Sequence, residues 1–157
     1  MGDLRLVWSW GLEPGVSQPT PVVYDGIMFI ANPGNVVQAL DAASGDFIWE
    51  YRREMEEARR PAAQMRSLAI YENLIILNTV DAHVVGLDAR TGQGQWDTPV
   101  APPDQEGYGF SSGPVIADGI IVAGLRGCER FREDTCYIVG ADGRSGQALW
   151  RTSTSAR

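Results

Sequence analysis

Ala39-Leu-Asp-Ala-Ala-Ser-Gly-Asp-Phe-Ile-Trp49 returns twice along the chain, as Gly86 to Trp96 and as Gly140 to Trp150. Each copy has Asp in third place (Asp41, Asp88, Asp142) and Trp in eleventh. Between them stand Ser44-Gly45, Thr91-Gly92 and Ser145-Gly146. The tryptophans are 47 and 54 residues apart, and a period of that size marks a solenoid or a propeller. A short hairpin loop needs one position at positive φ, which Gly supplies, while the Asp carboxylate accepts hydrogen bonds from the turn's own amides. The Trp brings a broad apolar ring and an indole N–H that needs an acceptor. In stacked repeats the backbone of the neighbouring unit is the natural one.

Upstream of the first copy, Pro21 to Tyr24 and Ile27 to Ala31 flank Asp25-Gly26, a strong hairpin signal. Val36 to Leu40 reads as a third strand and Phe47 to Tyr51 as a fourth. The second period has strands at Leu68 to Tyr71, Leu74 to Asn78, Ala82 to Leu87 and Gln95 to Thr98. The third has them at Pro114 to Ala117, Ile120 to Ala123, Tyr137 to Ala141 and Ala148 to Arg151, and an insertion before Tyr137 accounts for the longer spacing. Four short antiparallel strands per period predict an all-β fold, a β-propeller of four-stranded blades, of which about three are present. The repeats span roughly 20–53, 66–99 and 111–152. Residues 1–19 read as a strand, Leu4 to Trp10, and a turn-rich connection belonging to a neighbouring blade. Glu50 to Arg60 lacks strand character and reads as a short helix or a charged connection.

Three blades cannot close a ring, and an open stack leaves two broad apolar faces. The expectation is a piece of a longer protein, or a unit whose ends are covered by partners or by oligomerisation. A formal net charge of −7 speaks against binding nucleic acid or anionic lipid through bulk charge. No run approaches the roughly 18 apolar residues of a membrane span, and the first residues lack the pattern of a signal peptide. Cys128 and Cys136 either form a disulfide, which needs an oxidising compartment, or are two buried thiols. Zinc is disfavoured because there is no second Cys pair and the single His83 is distant. His83 itself, at a strand start, reads as structural. Phosphate cradles, Ser-His-Asp order and His-Glu zinc patterns are absent from the sequence.

The repeat resembles the tryptophan-docking motif of quinoprotein dehydrogenases, eight-bladed propellers that hold pyrroloquinoline quinone (PQQ) and calcium. Trp8-Ser-Trp10, Gln18 to Pro21, Ala31 to Asp41, Ser111 to Pro114 and Ala123 to Cys128 resemble the early blades of the PQQ-dependent alcohol dehydrogenases. That resemblance implies an intact periplasmic enzyme oxidising a small alcohol to an aldehyde or ketone. PQQ and Ca²⁺, or another hard cation, would be its cofactors, and a cytochrome c or similar protein its electron acceptor. It implies cofactor contacts at Gln18, Arg66, Ser111, Arg126, Gly127 and Cys128, and a metal ligand at Glu129. An arginine suits the quinone's polar edge because it stabilises the negative charge that develops on reduction, and a carboxylate suits a hard cation. The family's vicinal cysteine pair would fall near Arg60-Pro61, where none stands, and Arg126 replaces a residue that is usually small and polar. The catalytic Asp, the Asn metal ligand and the Trp floor of the cofactor are expected from other blades, so no catalytic residue is assigned in this chain. The repeat alone also fits non-catalytic PQQ-like propellers that act as assembly scaffolds.

Overall fold

The computed structural model describes residues 5–54, 65–101, 108–110, 112–126 and 137–154. The first four strands are Val22–Tyr24 (β1), Ile27–Asn32 (β2), Val36–Asp41 (β3) and Phe47–Arg52 (β4). Ala69–Tyr71 (β5), Leu74–Asn78 (β6), His83–Asp88 (β7) and Gly94–Pro99 (β8) follow. Val115–Ala117 (β9), Ile120–Gly124 (β10), Tyr137–Asp142 (β11) and Ala148–Ser153 (β12) complete the set, and no helix occurs among the described residues. They form three four-stranded sheets, each an antiparallel meander of strands consecutive in the chain. β5 and β9 approach each other across neighbouring sheets. The first strands therefore lie innermost and the Trp-bearing fourth strands outermost. This is the blade architecture of a propeller.

Alternation along the strands sends side chains to the two faces of a sheet, and the middle sheet is covered on both. Ile75, Leu77, Val85 and Leu87 pack with Phe29, Val37, Ala39 and Trp49 of the first sheet. Leu74, Ile76 and Val84 pack with Ile121, Ala123, Val139 and Ala141 of the third. Burial on both faces is why β6 reads Leu-Ile-Ile-Leu without a polar alternate.

The repeated motif explains how sheets stack. Gly45, Gly92 and Gly146 have φ of 78°, 72° and 68°, and each carries a Trp ring of the preceding unit. A Cβ on Gly92 would come within 2.6 Å of Trp49 Cε3, and one on Gly45 within 2.7 Å of Trp8 Cδ2. Trp96 lies on Gly146 in the same way. The indole of Trp49 donates to the Ala89 carbonyl at 3.1 Å, and that of Trp8 to the Ala42 carbonyl at 3.3 Å. Trp96 Nε1 is buried with no partner among the described residues, so a backbone acceptor is found at two of these contacts and not at the third. The first motif position is small for a related reason. Gly86 and Gly140 sit opposite Trp96 and Trp150 in the ladder, directly beneath the rings.

Two segments differ from the sequence expectation. Glu50–Arg52 belong to β4, because an outermost strand faces solvent and carries charge without losing its ladder. Residues 55–60 of that connection lie outside the described residues. Residues 5–20 form no strand: an alternating run needs a neighbour to pair with, and none lies beside it among the described residues. The segment is instead anchored by side chains. Trp8 covers Gly45, Trp10 stacks on Phe47 with ring centroids 6.0 Å apart, and Trp10 Nε1 donates to Gln38 Oε1 at 3.0 Å.

Candidate functional site

The antiparallel meander places two sets of connections at opposite rims. The Asp41–Gly45, Asp88–Gly92 and Asp142–Gly146 turns share one rim with the β1–β2, β5–β6 and β9–β10 hairpins, since Ala42, Ala89 and Gly143 donate to the carbonyls of Gly26, Asn73 and Gly119. The other rim holds the segments that enter β1, β5 and β9, together with the β2–β3 and β6–β7 loops. Every described residue with an expected site role lies at this second rim.

These entry segments are stitched side by side. Thr20 N–H donates to the Arg66 carbonyl at 3.0 Å, and Gly113 packs against Ser67 so closely that no Cβ would fit. The loops behind them continue the row: Val80 N–H donates to Asn35 Oδ1 at 3.2 Å, and Phe110 N–H to the Thr79 carbonyl at 3.3 Å. Gln18 and Arg66 are exposed, just before β1 and β5. Arg126 is also exposed, two residues beyond β10, where its N–H donates to the Gly109 carbonyl at 2.9 Å. Ser111, Gly127, Cys128 and Glu129 lie outside the described residues, as does Cys136, although Ser112 is placed beside the row.

Asn78 belongs to this rim and was not singled out by sequence. It ends β6 where blade one has Ala31 and blade three Gly124, and is only 5% exposed. Its Nδ2 donates to the Ser112 carbonyl at 3.2 Å, while its Oδ1 has no partner among the described residues. A buried amide at the end of a continuous apolar run is the signal that could have found it.

Two charged clusters decide which cations at this rim are available. A groove of about 550 Å³ is lined by Glu13, Val16, Pro33, Arg52 and Arg53 among others, but its arginines are already engaged. Arg52 binds Glu13 at 2.7 Å and Glu50 at 3.0 Å. Arg53 reaches from blade one to Asp81 (2.9 Å) and Asp97 (2.7 Å) of blade two, and Asp97 also meets His83 Nδ1 at 2.6 Å. Burial disfavours the Arg53 charge, yet the hydrogen bond to Asp97 and the nearby Asp81 carboxylate outweigh it and hold its pKa above the ordinary value. Desolvation works against the Asp97 charge too, and bonds from Arg53 and His83 overcome it and lower its pKa. This quartet is an inter-blade clamp, so the structural role expected of His83 has concrete partners.

Arg66 and Arg126, by contrast, have no side-chain partner among the described residues. Two exposed guanidiniums at one rim suit a polar, anionic, oxygen-rich ligand. No cluster of three or more His, Cys, Asp or Glu side chains able to hold a metal occurs among the described residues. No helix there is long and apolar enough to cross a membrane.

Comparison with known proteins places the chain. The profile of the PQQ_2 family, described as outer membrane protein assembly factor BamB, matches residues 3–156. The quinohemoprotein alcohol dehydrogenase ADH-IIG of Pseudomonas putida is 31% identical over 160 aligned residues, which cover 98% of this chain and 22% of the relative. The 1-butanol dehydrogenase (cytochrome c) of Thauera butanivorans is 35% identical over 133 residues, 81% of this chain and 19% of the relative. The crystal structure of quinohemoprotein alcohol dehydrogenase from Comamonas testosteroni superposes with a TM-score of 0.79 at 25% identity, covering 88% of this chain and 21% of that one. The chain thus spans about a fifth of the length of these relatives, and over nearly its whole extent it is similar to blades of quinoprotein alcohol dehydrogenases. A profile match over residues 3–156, on three stacked four-stranded blades with docked tryptophans, makes the chain a member of the PQQ_2 family of β-propellers.

Proposed function

We propose that this chain forms part of the cofactor-bearing rim of a periplasmic, PQQ- and calcium-dependent alcohol dehydrogenase. The observation that carries the proposal is the row of entry segments, in which the Arg66 backbone is fixed beside Thr20 and Ser67 beside Gly113 by direct contacts. When bound, the quinone would supply the redox chemistry, accepting the hydride of an alcohol. The chain's own residues would bind and orient it. Arg66 would offer a planar fork of donors to a carboxylate or quinone oxygen. Gln18 and Ser111 would add neutral hydrogen bonds, Arg126, Gly127 and Cys128 would border the ligand on blade three, and Glu129 would offer a carboxylate to the cation. The residue that takes the hydroxyl proton would come from another blade, and electrons would leave to a partner such as a cytochrome c.

The test is the whole protein titrated with PQQ and Ca²⁺, followed by dye-linked oxidation of 1-butanol. Saturable quinone binding with alcohol-dependent dye reduction is the expected result. The family description, an outer membrane assembly factor, favours a second reading as a non-catalytic scaffold. Absence of both binding and turnover in the whole protein would select that reading and end the first.

A further inference from the structure

Three consecutive residues at the β6–β7 corner of blade two hold the segment that enters blade three. Asn78 Nδ2 donates to the Ser112 carbonyl at 3.2 Å, and the Thr79 carbonyl accepts from Phe110 N–H at 3.3 Å. The Val80 carbonyl lies against Gly109 so closely that no Cβ would fit there. Residues 78, 79 and 80 thus meet 112, 110 and 109, and the two stretches run antiparallel, one splinting the other. The splint is itself rigid. Thr79 is fully buried, its Oγ1 accepts from His83 N–H at 3.0 Å, and its carbonyl also accepts from Ala82 N–H at 3.1 Å. Val80 N–H is held by Asn35 Oδ1 of blade one at 3.2 Å. Both ends of the held segment are closed as well, since Gly109 pairs with Arg126 and Gly113 abuts Ser67.

Of the three holds, only that of Asn78 is made by a side chain, and the fold does not call for an amide at its station. Blades one and three have Ala31 and Gly124 there. Burying an amide to 5% exposure costs free energy that an apolar residue would not. Nor does the bond rescue a stranded acceptor, because Ser112 is an exposed residue whose carbonyl water could serve. What the bond does is fix a direction. The Ser112 carbonyl and the Phe110 N–H, on either side of position 111, are both set from the same corner of blade two. We infer that Asn78 is a positioning residue of the cofactor rim, aiming the entry segment of blade three at the ligand. The inference rests on the reading of this rim as the one that bears PQQ, and adds a residue that acts through the Ser112 backbone rather than by touching the quinone.

Equilibrium dialysis of the whole protein with PQQ at saturating Ca²⁺ tests it, alongside thermal unfolding of the quinone-free protein. Asn78→Leu keeps the bulk of the side chain and removes both hydrogen-bonding groups, and Asn78→Ala copies blade one. Each should bind PQQ about three- to tenfold more weakly, the contribution of one neutral hydrogen bond. The unfolding midpoint of Asn78→Leu should stay at or above that of the wild type, because an apolar side chain replaces a buried amide. In a Ser111→Ala background the further loss from Asn78→Leu should shrink to less than about twofold, since the amide acts through that position. A merely structural role would leave the loss undiminished there. That result, or unchanged affinity in both Asn78 variants, overturns the inference and leaves the cofactor reading standing. Absence of PQQ binding by the wild type ends both.

Discussion

Gly92→Ala separates a docking turn from an ordinary one. At φ 72° an alanine pays about 1–2 kcal/mol for the left-handed conformation. Its Cβ would stand 2.6 Å from Trp49 Cε3 and 2.7 Å from Cδ2, well inside the contact distance of about 3.5–4.0 Å. The ring must retreat by about 1 Å to restore contact, which breaks the 3.1 Å bond to the Ala89 carbonyl. Ala89 is 2% exposed, so the loss of that partner adds about 1–3 kcal/mol. The expected total is about 2–5 kcal/mol, a large fraction of the roughly 5–15 kcal/mol that stabilises a domain. Gly94→Ala is the control: no atom lies within 4 Å of its Cβ position and its φ is not positive, so a change within about 0.5 kcal/mol is expected. Gly86→Ala falls between, because its backbone is ordinary and only Trp96 must move, and blade one already tolerates Ala39 opposite Trp49. Guanidinium unfolding followed by circular dichroism and by tryptophan fluorescence measures all three. Equal midpoints for Gly92→Ala and Gly94→Ala would refute the docking argument, and a larger loss at Gly86 than at Gly92 would refute its division between strain and contact.

Trp49→Phe should cost about 1–3 kcal/mol more than Trp96→Phe in the same assay, because only the first removes a made hydrogen bond to a buried carbonyl. Arg53→Ala should destabilise by about 1–2 kcal/mol, a figure held down by the half-exposed Asp97. Adding Asp97→Asn should recover part of the loss by removing repulsion with Asp81. Acid should weaken the motif turns. Asp88 is held below its ordinary value of 3.8 chiefly by the Thr91 hydroxyl, and Asp41 and Asp142 chiefly by the amides of Ser44 and Ser145. A depressed folded pKa gives stability that is present above the unfolded value and lost as pH falls through the folded one. Unfolding midpoints should therefore decline below about pH 4, and less steeply in Asp88→Asn.

The fold was legible because its information is local. Asp, Ser or Thr, Gly and Trp sit within one turn and the strand after it, and each acts on neighbours only a few residues away or on an identical copy. Leu4 to Trp10, expected as a strand of a neighbouring blade, is unpaired over its described residues 5–10, because its alternation is local whereas a ladder depends on a partner that the segment itself does not supply. Glu50 and Arg52 misread as a charged connection because an outermost strand can afford charge on its free edge. The Arg53, Asp81, His83 and Asp97 clamp was invisible because it exists only once two blades stack. At the rim, Arg66 had no local pattern of its own and was reached through the family resemblance. Asn78 was passed over because a single amide at the end of an apolar strand looks like a strand terminus until its burial is known.

The most direct test of the central claim, that the entry-segment rim faces the cofactor, compares Arg66→Ala with Arg144→Ala in the whole protein. Both are exposed arginines, but Arg144 stands on the opposite rim, where it pairs with Glu72. Equilibrium dialysis with PQQ at saturating Ca²⁺ should show Arg66→Ala binding about ten- to a hundredfold more weakly, as loss of a charge-assisted hydrogen bond requires, with Arg144→Ala unchanged. Equal affinities for the two variants, or a loss confined to Arg144→Ala, would contradict the assignment of the rim.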